Sequence, residues 1–240
     1  VIEIPGLQNE LIIQEAFNEL KKVDEQFSPF KPDSELSRFK RGELSAETVS
    51  IGMKAVMKAC LEAERYTGGF FSARYSGEFD PSGFVKGWAV GEVKNRLLEK
   101  GFSTFCISAG GDVVTKSSGD KTWRIGIQHP KKKSKVLGTV LAKNLAIATS
   151  GSYARGRHII NPKTKKPATF FLSLTVAGPN ITKADVFATT AMAMGVDGLG
   201  FIDKHRGFEV LAVDKDGKIY LSGGMARLLE SNLTITGEVV

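Results

Sequence analysis

Apolar residues recur at helical spacing through the first hundred positions. Ile13, Ala16, Phe17, Leu20, Val23 and Phe27 form one stripe, which ends where Ser28-Pro29-Phe30-Lys31-Pro32 blocks further helix. Val49, Met53, Val56, Met57, Cys60 and Ala63 form a second, with Ser45 as cap candidate and Gly68-Gly69 as a left-handed stop. A third runs over 84–100, with Val85, Trp88, Ala89, Val93 and Leu97 inward and Gly101 ending it. Such stripes predict amphipathic helices that face a core.

Beyond Gly101 the signals become those of strands. Segments 104–108, 122–128, 138–141, 145–149 and 172–177 are short, β-rich and separated by glycine, proline or lysine clusters. A helix over 183–194 interrupts them. Segments 208–213 and 219–221 flank Asp214-Lys215-Asp216-Gly217-Lys218, a hairpin signal. Helices first, then strands with one helix among them, predict an α+β fold. No repeat or low-complexity linker divides residues 1–240, which are expected to form one unit with room for two lobes.

Composition adds little to this picture except through charge. With 42% hydrophobic residues the chain can bury a substantial core. A net charge of +7 favours anionic ligands without choosing among a nucleotide, a nucleic acid and an acidic protein. The lysine runs at 131–135 and 163–166 read as solvated loops. No aromatic-interleaved patch accompanies them, so no nucleic-acid partner is expected. Cys60 and Cys106 lie in apolar patterns and read as buried reduced thiols. No run approaches the roughly 18 apolar residues that cross a bilayer, so no transmembrane segment is expected. The first residues lack a signal-peptide pattern and begin without methionine, which leaves the compartment open.

Candidate chemistry concentrates in Ala148-Thr149-Ser150-Gly151-Ser152-Tyr153-Ala154-Arg155-Gly156-Arg157-His158-Ile159-Ile160-Asn161-Pro162. Glycines let backbone N–H groups approach an anion, while hydroxyls and arginines add donors. His158 is placed either to move a proton or to sit at a strand edge. Asp185 and Thr189, four apart, share a helix face and offer oxygen ligands to a hard cation; equally, Thr182 and Asp185 form a capping-box pattern. Ser108-Ala109-Gly110-Gly111-Asp112 makes either a tight turn or a backbone surface for a ligand. Asp80 to Gly87 opens the third helix, where an anion could sit on the N-terminal dipole with Lys86 as counter-charge; an exposed lysine is the alternative. His129 and His205 lack such company and read as surface residues. Gly151-Ser152-Tyr153 lacks the flanking glycines of a hydrolase nucleophile elbow.

Four blocks in order resemble the ApbE family of FAD:protein FMN transferases: Phe27 to Arg38; Asp80 to Gly87; Ala109 to Asp112 with Ala148 to Pro162; and Ala184 to Thr189. The resemblance implies an α+β fold of two intertwined α/β subdomains with FAD, as substrate, in the cleft between them. It implies Mg2+ at the pyrophosphate, held by Asp185, Thr189 and a backbone carbonyl near Ala109, and His158 as the catalytic residue. Phe30, Glu35, Ser37, Lys86, Gly110, Gly111, Asp112, Thr149, Ser150, Gly151 and Arg155 would contact the flavin nucleotide. The partner would be a flavoprotein presenting a threonine or serine. Three positions depart from the family pattern: Asn161 replaces the usual aspartate, Lys165 stands where glycine is common, and Gly91 replaces an aspartate. Two alternatives keep the flavin site, an FAD pyrophosphatase and a non-catalytic flavin binder.

Overall fold

The helical stripes become helices because each can bury one face. In the computed structural model, which describes residues 1–132, 134–151, 159–230 and 238–239, the first is α1 (Leu11–Phe27). A short helix unmarked by periodicity, α2 (Glu35–Lys40), follows and begins at a Ser34 cap. The second stripe is α3 (Ile51–Tyr66) and the third α4 (Ser82–Glu99). The cap of α3 is Ser50, which accepts from the Met53 N–H; Ser45 instead belongs to a turn with Thr48. Glu35 ties the three leading helices together. Its carboxylate accepts from the Ser50 N–H at 2.5 Å, the Ser50 hydroxyl at 2.7 Å and the Gln26 amide at 2.7 Å.

Nine of the ten described strands follow α4, and the tenth, the short β1 (Ile2–Glu3), pairs with the first of them. They are β2 (Phe105–Ala109), β3 (Asp112–Lys116), β4 (Trp123–Gln128), β5 (Val136–Ala142), β6 (Ala146–Gly151), β7 (Phe171–Gly178), β8 (Glu209–Asp214) and β9 (Ile219–Leu221), with β10 (Glu238–Val239) last. Eight form one sheet in the order β1-β2-β3-β6-β7-β8-β9-β10, antiparallel except for the β9–β10 pair. β4 and β5 form a separate antiparallel ribbon. Sequence periodicity does not mark β3. It is a five-residue segment buried almost throughout, so it shows no alternation to read.

The central strands are buried on both faces, and their residues alternate between two cores. Val114, Ala148, Val176 and Ala212 face a core with α1, α3, α4 and the helix α5 (Ile181–Met194). Val113, Ile147, Ala177 and Leu211 face the other way, towards Trp123, Ile127 and Val140 of the ribbon and Met225 of α7 (Gly223–Leu228). The remaining helix, α6 (Asp197–Asp203), follows α5 and packs against it. Cys60 is buried and Cys106 half-buried, both as free thiols. Among the described residues no helix is long and apolar enough to cross a membrane.

Candidate active site

Two close approaches build the centre of the site. α4 and α5 meet at Gly87, where a Cβ would lie 2.8 Å from Asp185 Cβ and 3.0 Å from the Ile181 carbonyl oxygen. Glycine there lets the Gly87 N–H donate to Asp185 Oδ2 at 3.0 Å. The second approach is the β2–β3 turn. Gly110 and Gly111 are both left-handed, with φ of 59° and 92°, the geometry of a two-residue hairpin that only glycine adopts readily. That turn places Asp112 opposite Ala109 in register and beside Lys86. The two readings of this segment are therefore compatible, because the tight turn also presents its glycines to the cavity.

Lys86 stands between two carboxylates. Its Nζ donates to Asp112 Oδ1 at 2.7 Å and lies 3.5 Å from Asp185 Oδ1. Asp112 is fully buried, and its Oδ2 has no hydrogen-bond partner among the described residues. Burial, then the neighbouring Asp185 charge, pushes the Asp112 carboxyl up to about 8. Asp185 is also raised by burial, against the pull of Lys86 and the Gly87 N–H. Burial works against the Lys86 charge, but Asp185 and Asp112 outweigh it and hold the ammonium above its ordinary value. One cation faces two buried acids, and a further cation arriving there would displace the Asp112 proton. The alternative of a capping box at Asp185 does not hold: Asn180 caps α5 by accepting from the Lys183 N–H, and Asp185 turns inward.

The cluster lies at a cavity of about 330 Å³. α4 supplies Ser82, Gly83 and Lys86, α5 supplies Asp185 and Thr189, and β6 supplies Thr149, Ser150 and Gly151. Ser150 Oγ and Thr189 Oγ1 are 3.2 Å apart, and Thr149 Oγ1 lies 2.8 Å from Thr175 Oγ1. The start of α4 reaches the cavity through Ser82 and Gly83, with Asp80 accepting from the Ser82 N–H at 3.0 Å. Among the described residues no three acidic, histidine or cysteine side chains converge on one point, so a cation here would draw on hydroxyl and carbonyl oxygens as well as carboxylates. The orphaned Asp112 oxygen and the excess acid fit a hard divalent ion.

The structure brings Lys86, Gly110, Gly111, Thr149, Ser150, Gly151, Asp185 and Thr189 to this cavity, with Asp112 directly behind Lys86. Phe30, Glu35 and Ser37 do not line it. Phe30 is 90% exposed on a loop braced by Ser34 Oγ, which donates to the Ser28 carbonyl. Glu35 is occupied with Ser50 and Gln26, and Ser37 Oγ lies 3.0 Å from Ser34 Oγ. Ala109 ends β2 next to the glycine turn. Arg155 and His158 lie outside the described residues. Sequence reasoning missed Phe70, Tyr75 and the β4 residues Ile125 to Gln128, which also line the cavity. The Gly68-Gly69-Phe70-Phe71 cluster carried a signal, aromatics held at a glycine turn; β4 carried none.

The family model described as "ApbE family" matches residues 1–77 and 74–212. The chain is 30% identical to an FAD:protein FMN transferase of Klebsiella pneumoniae over 58% of its own length and 43% of that protein's. It is 25% identical to one from Vibrio cholerae, over 81% and 77% respectively. The match thus spans less than half of the first relative and about three quarters of the second. Flavin Transferase ApbE from Vibrio cholerae superposes with a TM-score of 0.78 at 26% identity, covering 95% of this chain and 94% of that one. An ApbE protein of Thermotoga maritima has the same fold, with a TM-score of 0.80 at 19% identity over 95% and 94%.

Proposed function

The chain belongs to the ApbE family, and from that premise we propose that it is an FAD:protein FMN transferase acting through the Lys86–Asp112–Asp185 cavity. The observation that carries the reading is that cluster, a buried lysine between two acids, bordered by paired glycines, two hydroxyls and a helix N-terminus. Such a set recognises a pyrophosphate. The Gly110-Gly111 turn admits phosphate oxygens close to the backbone, Ser150 and Thr189 present hydroxyls, and the start of α4 favours negative charge. Lys86 supplies a fixed positive charge that its carboxylates keep protonated.

In this reading Asp185, Thr189 and the Ala109 carbonyl would hold Mg2+, beside the Lys86–Asp112 pair. When bound, the ion neutralises charge that develops on phosphate oxygens. The hydroxyl oxygen of an acceptor threonine or serine bonds to the FMN-side phosphorus of FAD. The bond from that phosphorus to the bridging oxygen breaks, AMP leaves with that oxygen, and the hydroxyl proton passes to His158. Phe30, exposed on its braced loop, is available to stack on the flavin ring.

Mass spectrometry of an acceptor domain incubated with the protein, FAD and magnesium tests the proposal. An added mass of FMN with release of AMP is expected, lost on chelation and in Asp185→Ala. AMP without a modified acceptor would make the protein a pyrophosphatase, and bound FAD with neither product would make it a flavin binder. His158→Ala is expected to abolish transfer while FAD still binds; loss of binding as well would remove His158 from the proton-transfer role.

A further inference from the structure

Two lysines outside the catalytic cluster join separate walls of the cavity. Hairpin 159–168 contributes Ile159, Ile160 and Pro162 to one wall, and segment 70–80 contributes Phe70 and Tyr75 to another. The hairpin is internally well defined. Ile160 bridges Pro167, the Ala168 N–H donates to the Ile159 carbonyl at 2.8 Å, and Asn161 Oδ1 accepts from the Lys163 N–H at 2.9 Å. From its tip Lys165 Nζ donates to the Tyr75 carbonyl at 2.9 Å. Lys163 Nζ sits 4.0 Å from the centroid of the Phe70 ring.

The backbone at Lys165 is unusual. Among the described residues it is the one non-glycine with positive φ, at 58°. A lysine held there costs on the order of 1 kcal/mol or more, and persists where its surroundings over-determine it. The same residue makes the bond to Tyr75. Segment 70–80 has no helix or strand of its own and is held by turns such as Asp80 N–H to the Ala73 carbonyl at 2.7 Å.

We infer that Lys165, seconded by Lys163, is a positioning residue that clasps segment 70–80 to hairpin 159–168 and so sets the shape of the cavity before the nucleotide enters. The inference rests on the flavin-nucleotide reading of that cavity. A wall ordered in advance does not have to be ordered by the ligand, so the clasp acts on affinity more than on the chemical step. Cation–ring contact at Lys163 adds a second, weaker tie.

The test compares Lys165→Met with Lys165→Arg, both of which keep a side chain on the left-handed backbone, so that only the donor differs. In ligand-free protein, amide hydrogen exchange over residues 72–79 is expected to quicken in Lys165→Met and to stay near the parent rate in Lys165→Arg. The FAD dissociation constant should rise about three- to tenfold in Lys165→Met, with kcat within about twofold of the parent. Lys163→Met should weaken FAD binding about two- to fivefold. Unchanged exchange in Lys165→Met, or an arginine variant as impaired as the methionine one, overturns the clasp. If the parent protein binds no FAD, the functional reading falls, and the exchange comparison still decides whether Lys165 holds the segment.

Discussion

Asn161 shows how one substituted atom redistributes bonds. Its Oδ1 accepts from the Lys163 and Thr164 N–H groups, at 2.9 and 3.2 Å, as the aspartate common in the family would. Its Nδ2 donates to the Ala193 carbonyl at 2.8 Å, which an aspartate cannot do. Ala193 lies in the last turn of α5, where carbonyls present partial negative charge. Asn161→Asp is therefore expected to keep the turn but lose the tie to α5, lowering stability by about 1–2 kcal/mol in thermal or urea unfolding. An unchanged midpoint would mean that the amide bond contributes nothing. The sequence marked this position as a departure; which oxygen and which nitrogen matter became visible only with Ala193 beside it.

At the scale of elements, the meeting of α4 and α5 depends on Gly87, and Gly87→Ala should destabilise the protein by about 1–3 kcal/mol because the helices must separate. The same displacement moves Asp185, so transfer should fall even at temperatures where the variant is folded. Glu35 governs a different junction, among α1, α2 and α3. Burial raises its pKa, but hydrogen bonds from the Ser50 N–H, Gln26 and the Ser50 hydroxyl prevail and hold it below the ordinary 4.5. A carboxyl lowered on folding stabilises the protein above its unfolded pKa, and that contribution fades as pH falls through the folded value. Glu35→Gln should accordingly cost up to about 1 kcal/mol at pH 7, reduced by solvent screening, and the deficit should shrink as pH falls below the ordinary 4.5 through the lowered folded value. Denaturant titrations of both proteins at pH 7 and pH 3.5 measure it; a deficit independent of pH would mean that shape, not charge, makes the junction. Helix existence was legible here because burial on one face leaves a 3.6-residue period. The cap of α3 was not, because Ser45 and Ser50 carry the same side chain and only the approach of α2 favours Ser50.

For the whole molecule, the cavity forms where two cores share one sheet, so ligand binding should stabilise the assembly of helices, sheet and ribbon together. FAD and magnesium added jointly are expected to raise the melting temperature by several degrees, with magnesium alone having little effect and Asp185→Ala abolishing the joint shift. A full shift with FAD in the presence of a chelator would remove the metal from the binding step. The sequence by itself determined the amphipathic helices, most strand segments and the hairpin at 214–218, since those patterns record burial between near neighbours. It also marked Lys86, Asp112 and Asp185 separately, each with a bland alternative. Only the tertiary structure chose among them. The partners that decide their chemistry lie far off in the chain: Gly87 and Asp185 are 98 residues apart and Lys86 and Asp112 are 26 apart, distances over which no local pattern carries information. Residues such as Tyr75 and Ile125 became cavity walls for the same reason, because a wall is defined by what folds opposite it.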